Sequence, residues 1–183
     1  MPQEDAQNLI SPFLRHQIVP DGAWKAKEEA LLNALTDVSE AENPLERVKA
    51  LGRLGEHQRI SIQHLPLAID TLQNAVQEAL KAGIPALVAS NRIRLATALQ
   101  YANRHEEACK EFQRAIQASS GPKAGVLLDY AHQHFGKCLA EMGQWDAALE
   151  HFTAALDIRN VKADQGLLAS TREAIQTLEM RRP

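Results

Sequence analysis

His132 and His134 form an HxH pair, His151 follows downstream, and two cysteines stand at positions 109 and 138. Clustered imidazoles and thiols would hold a soft metal or act as nucleophiles. The spacing argues against both. Two side chains two apart on a helix point about 200° from each other, so His132 and His134 do not converge on one ion. No carboxylate or thiol stands three or four residues after His132. The expected arrangement turns His132 toward a partner helix and His134 away from it. Cys109 recurs in register with Ile69 and Leu149, which makes it a small core apolar group. Cys138, beside Leu139, has no activating residue nearby in sequence. The chain holds no glycine-rich phosphate loop and no GxSxG, HExxH or CxxC motif. Glu28-Glu29 and Glu106-Glu107 read as solvated helix starts. The expectation is a protein that is not an enzyme and uses neither cofactor nor metal.

What, then, positions these side chains? The chain has 183 residues, 45% hydrophobic and 23% charged, with only 4% aromatic. Alanine and leucine dominate and β-branched runs are scarce, which selects helices over strands. Twenty basic residues against 23 acidic ones leave a net charge of −3. That balance offers no general attraction to nucleic acid or to an anionic membrane. The N-terminus is acidic where a secretory signal is basic, and no stretch approaches the roughly 20 apolar residues of a membrane span. Two lone cysteines suit a reducing compartment, so the location read from sequence is cytoplasmic.

Self-comparison at an offset of 40 residues aligns three copies without a gap. Ala68, Ala108 and Ala148 coincide, as do Leu72, Phe112 and Phe152, then Ala75, Ala115 and Ala155, then Val76, Ile116 and Leu156. Upstream, Leu95 meets Phe135, Ala96 meets Gly136 and Leu99 meets Leu139, while Val48, Val88 and Leu128 agree. In the last copy one helix is expected from Gly125 to Met142, a stop at Gly143, and a second helix from Trp145 to Ile158. Small residues at fixed positions let two helices approach closely, and large ones fill the space beside them.

This pattern resembles the tetratricopeptide repeat family. It stands as Phe135-Gly136, Leu139, Gly143, Ala148, Phe152 and Ala155 in the last copy. The middle copy has Leu95-Ala96, Leu99, Ala108, Phe112 and Ala115, with Asn103 in place of the turn glycine. The first copy keeps Ala68, Leu72 and Ala75 but has Gly55 where a large residue is expected, so its first helix, about Leu45 to Ile62, is less regular. The 40-residue spacing is similar to the longer-helix versions in kinesin light chains and bacterial peptide-sensing regulators. The resemblance implies an all-α, right-handed superhelical array of antiparallel helix pairs, with units of about 44–83, 84–123 and 124–163. A helix over 164–180, carrying Leu167, Leu168, Ala174, Ile175 and Leu178, would cap the open end. A helix over Asp21 to Ser39, with Trp24, Ala30, Leu31 and Leu35 inward, resembles the remnant of an earlier unit. Asn43 and Pro44 mark the next helix start. Residues 21–180 read as one domain, and residues 1–20 as a separate segment, either a short helix around Leu9 to Ile18 or mobile chain. The tail from Arg181 is expected to fray.

The resemblance also implies a concave groove lined by the first helix of each unit. Carried over, the middle copy offers Ser90, Arg94, Thr97 and Tyr101, and the last copy Tyr130, Gln133, His134, Lys137 and Glu141. Arg94 and Lys137 suit a carboxylate, and Tyr101 and Tyr130 an extended peptide. The family's carboxylate clamp is not reproduced, since Ile93 and Thr97 stand where a Lys and an Asn belong. The function read from this pattern is an adaptor for a protein or peptide partner, as monomer or homodimer, without nucleic acid or membrane. A self-associating module and a secretion-type chaperone masking a client segment are the alternatives.

Overall fold

Three helices stop in the same way, and that stop sets the geometry of the chain. Gly83, Asn103 and Gly143 take the left-handed conformation, with φ of 64°, 58° and 71°. Their N–H groups bond to the carbonyls of Leu80, Gln100 and Ala140, and the next residues, Ile84, Arg104 and Gln144, bond to Ala79, Leu99 and Leu139. This double closure satisfies carbonyls that a helix end would leave bare and turns the chain back within three residues.

The computed structural model describes residues 15, 16, 19–39, 43–121 and 125–183. Eight α-helices follow one another among them: α1 Gly22–Ser39, α2 Pro44–Arg59, α3 Leu65–Lys81, α4 Pro85–Tyr101, α5 His105–Ser119, α6 Leu128–Glu141, α7 Trp145–Lys162 and α8 Gln165–Arg181. Short 3-10 turns, Ile62–His64 and Gly125–Leu127, lead into α3 and α6. Side chains cap the starts. Asn43 Oδ1 accepts from the N–H of Glu46 with Pro44 in the first turn, Asp21 from Trp24, and Asp164 from Leu167. The helix expected around Leu9 to Ile18 falls on residues 9–14, 17 and 18, outside the described residues.

The helices pack as antiparallel pairs, α2 with α3, α4 with α5 and α6 with α7, and each pair packs on the next. The first helices also touch one another, α2 with α4 and α4 with α6, while α8 lies on α7. The repeated core is literal. Ala68, Ala75, Ala108, Ala115, Ala148 and Ala155, and the large residues Leu72, Phe112 and Phe152 between them, all have zero exposure. Phe112 stacks on Phe135 of the following unit, centroids 5.5 Å apart.

Gly55 proves to be a fitted residue rather than a defect. A Cβ there would stand 2.5 Å from Leu72, just as one at Gly136 would stand 2.7 Å from Phe152. Gly55 is thus the counterpart of Gly136, and α2 sits one residue out of the 40-residue register. The five-residue connection from Ile60 to His64 takes up the slip, where the other pairs use three. This also ends α2 at Arg59, short of the expected Ile62, which begins the 3-10 turn. Other boundaries shift too. α7 continues past Ile158 to Lys162, and Arg181 belongs to α8, with Arg182 paired to Asp146 at 2.8 Å. In α1, Trp24 is buried against His57 and His64, while Ala30 faces solvent. Glu28 lies within that helix and accepts from Gln58 at 3.2 Å.

The end of the array is held by charge. Arg159 of α7 is 2% exposed. It donates to Asp129 of α6 at 2.9 Å, to Thr171 of α8 at 2.6 Å and to the carbonyl of Leu167 at 3.1 Å. Lys162 also reaches Asp129, at 2.5 Å. The cap is therefore bolted on through a buried guanidinium, not only greased by leucines.

Two substitutions test this geometry. Ala163, which ends α7, is left-handed at φ 56° without being glycine. Ala163→Gly is expected to stabilise the protein by about 1 kcal/mol in urea unfolding. Gly136→Ala is expected to destabilise it by about 1 kcal/mol or more despite alanine's better helix propensity, because the fully buried Phe152 ring has nowhere to retreat.

Candidate functional site

The face shared by α2, α4 and α6 holds a cavity of about 420 Å³. Glu56 and Arg59 line it from α2, Ser90, Ile93, Arg94 and Thr97 from α4, and Leu127, Tyr130 and His134 from the start of α6. Residues three, four and seven apart share one helix face, which is why 90, 94 and 97, or 130 and 134, converge. Gly52 makes room for the wall. A Cβ there would lie 2.9 Å from the Arg94 guanidinium.

Five of the nine residues carried over from the family pattern, Ser90, Arg94, Thr97, Tyr130 and His134, lie in this cavity. Ser90 donates to the carbonyl of Leu87 at 3.2 Å and Thr97 to that of Ile93 at 2.8 Å, so both hydroxyl protons are spent within α4. Arg94 donates to Asn91 Oδ1 at 3.0 Å. Tyr130, at the mouth, has Arg159 over its ring at 5.4 Å. The other four lie elsewhere. Gln133 is buried and accepts from Arg159 at 3.3 Å, so it serves the clamp around Arg159 and not the groove. Lys137 is half-buried and is not among the residues that line the cavity. Tyr101 and Glu141 stand at the C-terminal ends of α4 and α6 and form a second site. Arg59, absent from the sequence reading, is the cavity's most buried cation. It pairs with Glu56 at 2.6 Å, lies 4.7 Å over the Tyr101 ring, and leaves Nη1 buried without a hydrogen-bond partner among the described residues.

The cavity is electropositive. Burial lowers the Arg94 pKa, against the pull of Glu56, and Arg53 and Arg59 lower it further. Burial likewise lowers that of Lys137, with Arg159 and Arg59 adding to the effect. His134 is pushed down to about 3, by burial first and then by Lys137, Arg59 and Arg159, so it is neutral at physiological pH. These shifts share one cause: several cations face a partly dry space that holds one carboxylate, Glu56.

At the second site the polarity reverses. Glu141, 3% exposed, accepts both arms of the Arg15 guanidinium, at 2.8 Å and 2.6 Å. Burial works to raise the Glu141 pKa, but its hydrogen bonds from Arg15 and His105 prevail and hold it below the ordinary value. Arg15 also donates to the carbonyls of Tyr101 and Gln100 and to Asn103 Oδ1, at 2.9 to 3.0 Å. The hydroxyl of Tyr101 accepts from the backbone N–H of His16 at 2.8 Å.

Apart from His134, the histidines and cysteines that opened the sequence reading lie elsewhere. His132 faces His151 of α7, Nδ1 to Nδ1 at 2.8 Å, with Phe135 against the His151 ring. Among the described residues no group of three His, Cys, Asp or Glu is placed to hold a metal. Cys109 is half-buried with its Sγ 3.6 Å from Met142 Sδ. A hydrogen bond with Cys138 brings its pKa down to about 7 and pushes that of Cys138 up. The meeting of these two thiols across α5 and α6 has no trace in a linear reading.

Known proteins match this arrangement at the level of repeat and fold. Residues 86–160 match the tetratricopeptide repeat family model, so this stretch consists of tetratricopeptide repeats and the array is of that fold. The chain is similar to the crystal structure of the apo form of RapI, with a TM-score of 0.74 over 88% of its length. Identity there is 16%, a likeness of fold alone, and the match spans 58% of the RapI chain. No curated protein matches the sequence. No helix among the described residues is long and apolar enough to cross a membrane.

The histidine environments set a pH dependence. His132, His134 and His151 all have folded pKa values below the ordinary 6.5, His151 at about 4, chiefly through burial. The unfolded chain therefore binds more protons below pH 6.5. Their stabilisation is complete above that pH and is lost as pH falls toward the folded values. The melting temperature is expected to drop between pH 7 and pH 5, and the double change His132→Phe, His151→Phe to flatten part of that slope.

Proposed function

We propose that this chain is a non-enzymatic adaptor that binds an extended segment of a partner protein along α2, α4 and α6, with an acidic group of the segment held by Arg59 and Arg94. The observation that carries this reading is Arg59, a cavity-lining cation whose Nη1 is buried and has no hydrogen-bond acceptor among the described residues. A buried donor left unmatched is costly, and a carboxylate entering the cavity would relieve it while meeting the surrounding positive field. Stacked helix pairs support the role physically. They present a preorganised face, so the receptor loses little freedom when a segment lies down on it. Tyr130 adds a half-exposed ring at the mouth, suited to a neighbouring side chain of the segment.

Selection from a library of random peptides tests the reading. Recovered binders should be rich in Asp or Glu, and Arg94→Ala should weaken them roughly tenfold or more. Amide exchange should slow on α2, α4 and α6 when they bind. Binders without acidic residues, or protection on α3, α5 and α7 instead, would sink the proposal.

A further inference from the structure

The Arg15 site has features of a receptor. Its acceptors come from three sources: the Glu141 carboxylate, the carbonyls at the end of α4, and the side chain of Asn103. The last carbonyls of a helix carry its partial negative charge and lack partners within the helix. Asn103 is available because it is the left-handed residue that ends α4. The Tyr101 ring closes one side, 5.3 Å from the guanidinium carbon. Two parallel bonds to a carboxylate, lateral bonds to carbonyls and a ring face together match a planar guanidinium. They do not match the compact ammonium of lysine. Recognition extends to the main chain, since the Tyr101 hydroxyl takes the N–H of the next residue, His16.

The occupant is covalently attached but not part of the array. Five residues separate His16 from the first residue of α1. Arg15 bonds to groups 85 to 126 positions away in sequence. Without a cation Glu141 would be a buried carboxylate with His105, at 3.2 Å, and the Gln100 side chain beside it.

We infer that the ends of α4 and α6 form an arginine-reading site, filled here by the chain's own Arg15, and that a partner segment binds there by presenting an arginine in its place. This rests on the reading of the α2, α4 and α6 face as a peptide-binding surface, and adds the second residue the segment must carry. A short tether holds Arg15 at an effective concentration on the order of millimolar, so the native segment acts as a built-in competitor. Tyr101 joins the two sites. Arg59 of the acid-binding cavity lies on its ring as well, so one aromatic plane borders both halves of the ligand.

The test uses a labelled peptide with the sequence of residues 9–20 and fluorescence anisotropy against the full chain. The Arg15→Ala protein should bind it at least tenfold more tightly than the wild type, whose site is filled. A peptide with lysine in place of its arginine should bind at least tenfold more weakly to the Arg15→Ala protein. Arg15→Ala, Glu141→Gln should erase the preference between the two peptides. Circular dichroism of each variant establishes that the array is intact. Equal binding to wild type and Arg15→Ala, equal binding of the two peptides, or no binding to the folded Arg15→Ala protein would each overturn the inference. Acidic library peptides that still depend on Arg94 would leave the cavity reading standing, which separates the two failures.

Discussion

The close approach of two helices within each pair is the constraint on which the rest depends. It is possible because residues of minimal volume recur on the second helices: Ala68 and Ala75, Ala108 and Ala115, Ala148 and Ala155, all without exposure. A large side chain at the central position of each helix then fills the remaining space. Once the pairs close to this distance, their first helices are brought side by side, and the polar face that α2, α4 and α6 present becomes continuous. The groove is a consequence of packing on its far side.

This division explains what a reader of the sequence can see. Second helices bury their side chains against the same kind of neighbour in each unit, so α3, α5 and α7 begin at 40-residue intervals and their residues align without a gap. Asn103 was legible as a turn residue because few side chains tolerate a positive φ. Gly55 was not legible as a fitted residue, because the register of α2 is decided by Leu72 of α3, and an offset search assumes that every helix keeps step. Gln133 misleads for a related reason. Its helical position points toward the groove, yet Arg159, 26 residues later, draws it into a buried network. The partner of Glu141 lies 126 residues earlier, beyond the reach of any periodic pattern.

The electrostatics of the concave side follow from how helices end. In the middle of α4 and α6, side chains alone face the cavity, and the charged one among them is a cation, Arg94, beside Arg59 of α2. At the C-terminal ends the main-chain carbonyls come into play, Glu141 adds a full charge, and the field changes sign within a few turns. A face with opposite poles favours one direction of an extended ligand over the other, because reversing the chain would bring like charges together. For the proposed ligand, orientation would thus be selected by the scaffold itself as well as by individual contacts.

The bolt at Arg159 has a mechanical meaning. In an array where each unit touches only its neighbours, strain applied at one end is passed along junction by junction. Most junctions here are packed through apolar side chains, so they resist stretching through many weak contacts that give way gradually. The α7–α8 junction instead carries directional bonds to a single guanidinium, which either hold or break together. A pull on the C-terminal helix would therefore meet a brittle latch first, with a short extension before rupture, and a more compliant spring behind it.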